Sequence, residues 1–328
     1  MTTYNLKEDR PFRENDKYGL EVPEIVDFYC PDHPLMQQLC DACARGQLDE
    51  FKRLVEEWKA KGEAATPPPG PEHYPLCTLE PILFFAIRQH QHQIVAYLLD
   101  EGLKRSELVM VHVHEFRCRP PMLQVMLDRG WDINYTDSPA DPPRLAFVLD
   151  DKELVEWYLA HGADPNAEAK YGWTPWLRAI VWAPLDIIKT MHAAGGRMDL
   201  AVPFVCFGRN YRSDKSPERL DVLRYLLDNG ADINARLFAH NHYNRGAYFD
   251  PGPALNLALG GGQDEIAEEL LDRGARTDIL AGEMMGHVTA LERARGKDVS
   301  PHLLAKVEEC RRREVAEAAK GTPAEDAD

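Results

Sequence analysis

No stretch of the chain approaches the ~18 consecutive apolar residues that a membrane-crossing helix needs. The opening MTTYNLKEDRPFREND has no apolar core, so it does not read as a secretory leader. Cysteine is sparse: seven in 328 residues, scattered without the spacing of a small disulfide framework. The expectation is free thiols in a reducing compartment, hence a cytoplasmic or nuclear location, or both. Positive charge is short as well, with 38 Lys and Arg against 54 Asp and Glu and a net charge of −16. An acidic surface repels phosphate backbones, which argues against direct nucleic-acid binding. Missing too are a nucleophile elbow, a phosphate-binding loop and an HExxH pair. The run Gly260-Gly-Gly262 falls between two expected helices and reads as a turn. With no convergent acid, base and pocket visible, the chain reads as a non-enzyme with no cofactor and no metal.

What the chain does have is a repeating phrase. Glu153 to Pro175 reads ELVEWYLAHGADPNAEAKYGWTP. Leu154, Val155, Tyr158 and Leu159 make one apolar helical stripe. Gly162 suits a left-handed helix end, and Thr174-Pro175 suits the cap and first turn of a new helix. Related phrases recur: LDVLRYLLDNGADINA from Leu220, DEIAEELLDRGARTDI from Asp264, PMLQVMLDRGWDINY from Pro121, HQIVAYLLDEGL from His92 and LDIIKTMHAAGGRMD from Leu185. Their helix-ending glycines are Gly102, Gly130, Gly162, Gly195, Gly230 and Gly274, spaced by 28, 32, 33, 35 and 44 residues.

This order of apolar helix, glycine and GAD-type turn, with TP opening the next unit, resembles the ankyrin repeat family, whose unit is about 33 residues. The resemblance spans about Pro34 to Arg313. It implies an all-α, ankyrin-repeat solenoid of about seven to eight helix-turn-helix units with short β-hairpin-like fingers. Each helix pair cannot bury its own apolar face, so neighbours stack. The family binds proteins through its concave face and fingers. The implied function is therefore a protein-protein interaction scaffold or adaptor, working as a monomer, with no direct nucleic-acid or membrane contact. A transcriptional coregulator acting through a DNA-bound factor, or an assembly chaperone or ubiquitin-pathway adaptor, is the alternative.

Taken in order, residues 1–33 read as an N-terminal arm, 34–313 as the repeat array with a terminal cap, and 314–328 as a charged, disordered tail. The proline-rich Glu63 to Pro81 reads as a stiff loop, and Arg209 to Pro217 as an insertion within the sixth repeat. Ala235 to Gly252 reads as a finger longer than repeat geometry requires, carrying Phe238, His240, His242, Tyr243, Tyr248 and Phe249. Aromatics with arginine are the composition of interface hot spots. His242, Tyr243 and Arg245 are thus candidate partner contacts at the middle of the finger, with Phe238 and Phe249 anchoring its base. A finger folded back over its neighbours is the open alternative. Tyr171 and Trp173 are further partner-binding candidates, while Trp176, at the Leu position of TPLH, reads as core.

Other constellations carry less. His90 and His92, and likewise His112 and His114, stand two apart on expected helices, where they face different sides and cannot share one ion. His240 and His242 would share a side of an extended strand, but zinc wants about four ligands. Cys40 and Cys43 fall on an inner helix and read as buried structural thiols. The family resemblance also makes Asn134, Asn166 and Asn234, at the turn asparagine of the unit, possible targets of an oxygen-dependent asparaginyl hydroxylase. Their plain reading is as hydrogen-bonding turn residues.

Overall fold

The computed structural model describes residues 34–61, 76–103, 107–136, 140–207, 216–238, 252–281, 288–296 and 299–321. The expected N-terminal arm lies outside them, as do most of the proline-rich loop and of the insertion after Phe207. The described residues are helical and contain no strand. None of their helices is long and apolar enough to cross a membrane.

The helices come in pairs. The first three pairs are α1 (Pro34–Ala44) with α2 (Leu48–Ala60), α3 (Glu80–Arg88) with α4 (His92–Asp100), and α5 (Glu107–Glu115) with α6 (Pro120–Asp128). The fourth opens on a single 3-10 turn, Arg144–Phe147, and continues with α7 (Lys152–Ala160). The last four are α8 (Pro175–Trp182) with α9 (Leu185–Ala193), α10 (Val202–Phe207) with α11 (Ser216–Asp228), α12 (Ala254–Gly261) with α13 (Asp264–Asp272), and α14 (Ala290–Arg295) with α15 (Pro301–Gly321).

The chain divides into two compact units, Met1–Asp132 and Ile133–Asp328. Within the first, α3 packs on both α1 and α5, and α4 on both α2 and α6. Its core closes around Phe51, Leu54 and Trp58, and the buried Trp58 donates Nε1–H to Thr78 Oγ1 at 3.1 Å. Two ion pairs cross its second helices: Lys59 with Glu101, and Arg129 with Asp100 at 2.8 Å.

Within the second unit the stacking forms two rows. First helices pack on first helices, from the 3-10 turn through α8, α10 and α12 to α14. Second helices do the same from α7 through α9, α11 and α13 to α15. Trp176, Tyr158 and Phe204 are its largest fully buried side chains, with Leu154 and Val155 beside Tyr158 on one face of α7.

Local chemistry sets the helix ends. Thr174 Oγ1 accepts from Leu177 N at 3.1 Å and Asp151 Oδ1 from Leu154 N at 3.1 Å, satisfying N–H groups the helix cannot. Gly162 and Gly230 hold φ of +92° and +83°. A Cβ at Gly230 would meet nothing within 4 Å, so only backbone strain opposes one. Gly230→Ala should therefore cost about 1 kcal/mol in a denaturant melt. An unchanged midpoint would break the link between these glycines and the repeat.

Two expectations change. The fingers are turns among the described residues, with a single antiparallel bridge between Arg236 and Pro253. Side chains close these turns in place of a ladder: Asp164 Oδ1 accepts from Asn166 N at 2.8 Å, and Asp232 Oδ1 from Asn234 N at 2.9 Å. The tail also starts later than expected, since α15 runs past Arg313 to Gly321. Glu314 is the reason. Its carboxylate accepts from Thr277 N at 2.7 Å and Thr277 Oγ1 at 2.6 Å, tying the helix to the turn of the preceding pair.

Candidate protein-interaction surface

Three of the turns that follow second helices carry an asparagine that bonds to the next turn. Asn134, Asn166 and Asn234 each stand four positions after a helix-ending glycine. Asn134 donates Nδ2–H to Gly162 O at 3.1 Å and accepts from Asp164 N at 2.8 Å. One pair later, Asn166 donates to Gly195 O at 2.8 Å and accepts from Arg197 N at 3.0 Å. Asn234 accepts from Arg276 N at 2.9 Å. A carboxamide suits this position because it carries a donor and an acceptor side by side. One side chain satisfies a carbonyl left over at a helix end and an N–H of the turn beyond it.

Aromatic side chains cluster beside these turns. Tyr135 and Tyr171 are 46% and 43% exposed. The Tyr171 tip is folded tightly: Gly172, at φ +89°, donates its N–H to Ala169 O at 2.8 Å, and Ala169 N donates to Trp173 O at 2.9 Å. Trp173 is half-buried, with Phe204, Phe207 and Phe238 at centroid distances of 5.6, 5.7 and 5.3 Å. The Phe204 and Phe238 rings meet edge-on at 5.1 Å. Phe238 has φ +55°, a left-handed conformation that costs an ordinary side chain about 1–2 kcal/mol. Edge-to-face ring contacts of about 0.5–1.5 kcal/mol each can offset that strain. The rings meet one another edge-on, so the cluster is a packed plug. It fixes Phe238 against Trp173 and Phe204. His242, Tyr243, Arg245 and Phe249 lie outside the described residues.

Arg219 is a functional-looking side chain that sequence reading overlooked. It sits on α11, and its guanidinium reaches into the first row. Nη1 donates to Ile180 O at 2.5 Å and Val181 O at 3.0 Å, near the end of α8. Nη2 donates to Val205 O at 2.6 Å and Phe204 O at 3.2 Å, near the end of α10, and Nε to Val205 O at 3.2 Å. The only hint in the sequence is its place in SPERLDVL, one position before the apolar phrase that begins at Leu220.

Among the described residues, the histidines and cysteines singled out in the sequence take structural places. His90 sits in the turn between α3 and α4 at φ +56°, and His92 begins α4. His112 is buried edge-on against Phe84, at 4.4 Å, with Nδ1 3.5 Å from Glu115 Oε2. His114 lies 5.6 Å from the Trp131 ring. His240 lies outside the described residues. Among those described, no group of three or more His, Cys, Asp or Glu comes together to hold a metal. Cys40 and Cys43 are both buried, and burial raises the Cys43 thiol far above its usual range. Burial likewise pushes Cys118 and Cys206 up to about 12. Thiols so placed stay protonated and are poor nucleophiles.

No family model matches the chain. Among curated proteins, it is 31% identical over 174 residues to a mitochondrial disaggregase of Bos taurus. The aligned stretch covers 52% of this chain and 24% of that protein. The chain thus spans about a quarter of the length of the relative it matches.

Proposed function

We propose that the chain is an ankyrin-type array whose work is to bind other proteins. The asparagine staple carries this reading. The same side chain, at the same offset from a helix-ending glycine, makes the same two bonds in the turns at Asn134 and Asn166. The repeat of letters is thereby also a repeat of contacts, as the resemblance in the sequence implies. Stacked helix pairs present a long surface, which suits protein recognition more than enclosure of a small substrate. Tyr135 and Tyr171, exposed beside the turns, supply the rigid aromatic area that partner interfaces use.

A photo-cross-linking residue placed at Tyr171 in the full chain tests the reading. Adducts with discrete proteins are expected there and at Tyr135, but not at Asp186 on the second helix row. Equal, scattered adducts at all three positions would remove it. In the same assay, loss of adducts on changing His242, Tyr243 and Arg245 together to Ala, with an unchanged melt, supports the long finger as a contact. A lowered melt with adducts retained assigns it a structural role.

The similarity to a mitochondrial disaggregase favours a second reading, in which the array holds non-native protein on behalf of a chaperone. Cell fractionation separates the two: cytoplasm or nucleus for the scaffold or adaptor, mitochondria for the second. The turn asparagines belong to this proposal as acceptors of one oxygen atom. Asn134 and Asn166 have both ends of their carboxamides engaged, so modification should require the turn to open. With an asparaginyl hydroxylase, dioxygen and its reducing co-substrate supplied, peptide mass spectrometry should then find the added oxygen in thermally loosened protein before native protein. Equal labelling of both would contradict that order.

A further inference from the structure

The last helix pair of the second unit has little apolar surface to hold it. Its helices, α14 and α15, bury Ala290, Ala294, Leu303 and Val307. By comparison α13 alone buries Ile266, Ala267, Leu270 and Leu271. Half of the pair's buried side chains are alanines, and burying an alanine gains far less than burying a leucine. The pair packs against one neighbouring pair, α12 with α13, whereas a pair inside a stacked array draws stability from both sides.

One residue gathers the polar ties of this joint. Thr277, fully buried in the turn after α13, donates its N–H to Glu314 Oε1 at 2.7 Å and its hydroxyl to Glu314 Oε2 at 2.6 Å. Its carbonyl accepts from Ala290 N at 3.2 Å. A single threonine thus reaches both helices of the pair. Hydrogen bonds to an ionised carboxylate are among the strong ones, and these two exist only while α15 lies against the turn. Other ionic contacts of the pair lie at the surface: Lys306 with Asp272 at 2.8 Å, and His302 with Glu268 at 3.9 Å. Such pairs add little.

Arg293 works against the tie. It sits on α14 with Nη1 against Gly260 of α12, where an added Cβ would come within 2.9 Å. Its Nε and Nη2 are enclosed and find no hydrogen-bond partner among the described residues. Arg219 shows the satisfied case, one guanidinium serving four carbonyls. A guanidinium that loses its water without gaining an acceptor raises the free energy of the docked state. Burial accordingly lowers its pKa.

We infer that this last pair is a detachable cap: α14 and α15 leave the array as one unit, with Glu314 on Thr277 as the latch and the enclosed Arg293 as the group that keeps docking reversible. The device holds whatever the array binds. Opening returns the guanidinium to water and gives up the two carboxylate bonds. The pairs from α8 to α13 stay folded, since each keeps a neighbour on its other side. What opening uncovers is the side of α12 and α13 on which the pair rests.

Hydrogen–deuterium exchange of the full chain under native conditions, read by peptide mass spectrometry, tests this. Peptides from α14 and from α15 as far as Glu314 should exchange together, about tenfold or more faster than those from α12 and α13. Arg293→Met keeps much of the side-chain volume and removes the unpaired donors, so it should slow exchange in both helices about tenfold. Glu314→Gln puts an amide nitrogen where an acceptor is needed and should quicken exchange in the same peptides about tenfold, as should Thr277→Val. None of the three should alter exchange in α8 and α9. Glu314 lies near the surface, so its variant reads the latch even where the buried Thr277→Val disturbs its own turn. Faster or unchanged exchange in Arg293→Met would overturn the inference, because the guanidinium would then be holding the pair or already be satisfied. Unchanged exchange in Glu314→Gln would do the same. So would separate rates for α14 and α15, which mean fraying from one end, or one rate from α12 through α15, which means no separate cap.

Discussion

Arg219→Met should destabilise the second unit by about 3 kcal/mol or more. Methionine keeps much of the side-chain volume, so the loss would come from hydrogen bonds and not from a cavity. One guanidinium serves Ile180 O, Val181 O, Phe204 O and Val205 O, all near the ends of two first-row helices. The last carbonyls of a helix have no partner within it, and a buried acceptor left bare costs about 1–3 kcal/mol. Arg219→Lys should recover only part of the loss. An ammonium is a point donor and cannot span two helix ends as the planar fork does. Urea denaturation of the full chain reads both variants. A loss below about 1 kcal/mol for methionine would mean that water reaches these carbonyls, and the cap would then be incidental.

Gly196→Ala is the second large effect, at about 3 kcal/mol. The neighbouring glycines Gly195 and Gly196 are both needed, for different reasons. Gly195 holds φ +102° with nothing within 4 Å of an added Cβ, so alanine there meets backbone strain of about 1 kcal/mol. Gly196 has no such conformation. A Cβ there would come within 2.5 and 2.6 Å of Trp176 ring carbons. Trp176 cannot retreat: it is 1% exposed, and its Nε1–H is bonded to Arg197 O at 2.8 Å. Pairing Gly196→Ala with Trp176→Leu should cost clearly less than the two single losses added, since leucine vacates the contested space. Strict additivity would show that the clash is not what destabilises Gly196→Ala.

These two cases also show which parts of the fold could be read in the sequence. Gly162, Gly230 and Thr174 announce themselves because a left-handed helix end or a cap is a property of a few adjacent residues. Trp176 was legible as core by its place in the repeated phrase. Arg219 was not, because its partners are 14 to 39 residues away and are backbone atoms without a letter of their own. The Trp173, Phe204, Phe207 and Phe238 plug escaped for a similar reason: three separate segments supply it. The tail was misjudged at Glu314, whose charge suggests solvent until Thr277 is placed beside it.

The staples have a consequence for how the second unit flexes. Asp199 occupies the place that Asn134, Asn166 and Asn234 occupy elsewhere, four positions after its helix-ending glycine. It binds Arg197 of its own turn at 2.8 Å, and a carboxylate has no hydrogen to give to a carbonyl of the next turn. The joint between the fifth and sixth helix pairs therefore lacks the donating half of the staple. Arg219 crosses that same joint, gripping the end of α8 from α11. The preceding joint is riveted along the turn edge by both bonds of Asn166, and this one is also riveted at the helix ends by Arg219. A pull on the second unit should therefore load the Arg219 bonds at this joint, where a carboxylate stands in place of the bridging amide.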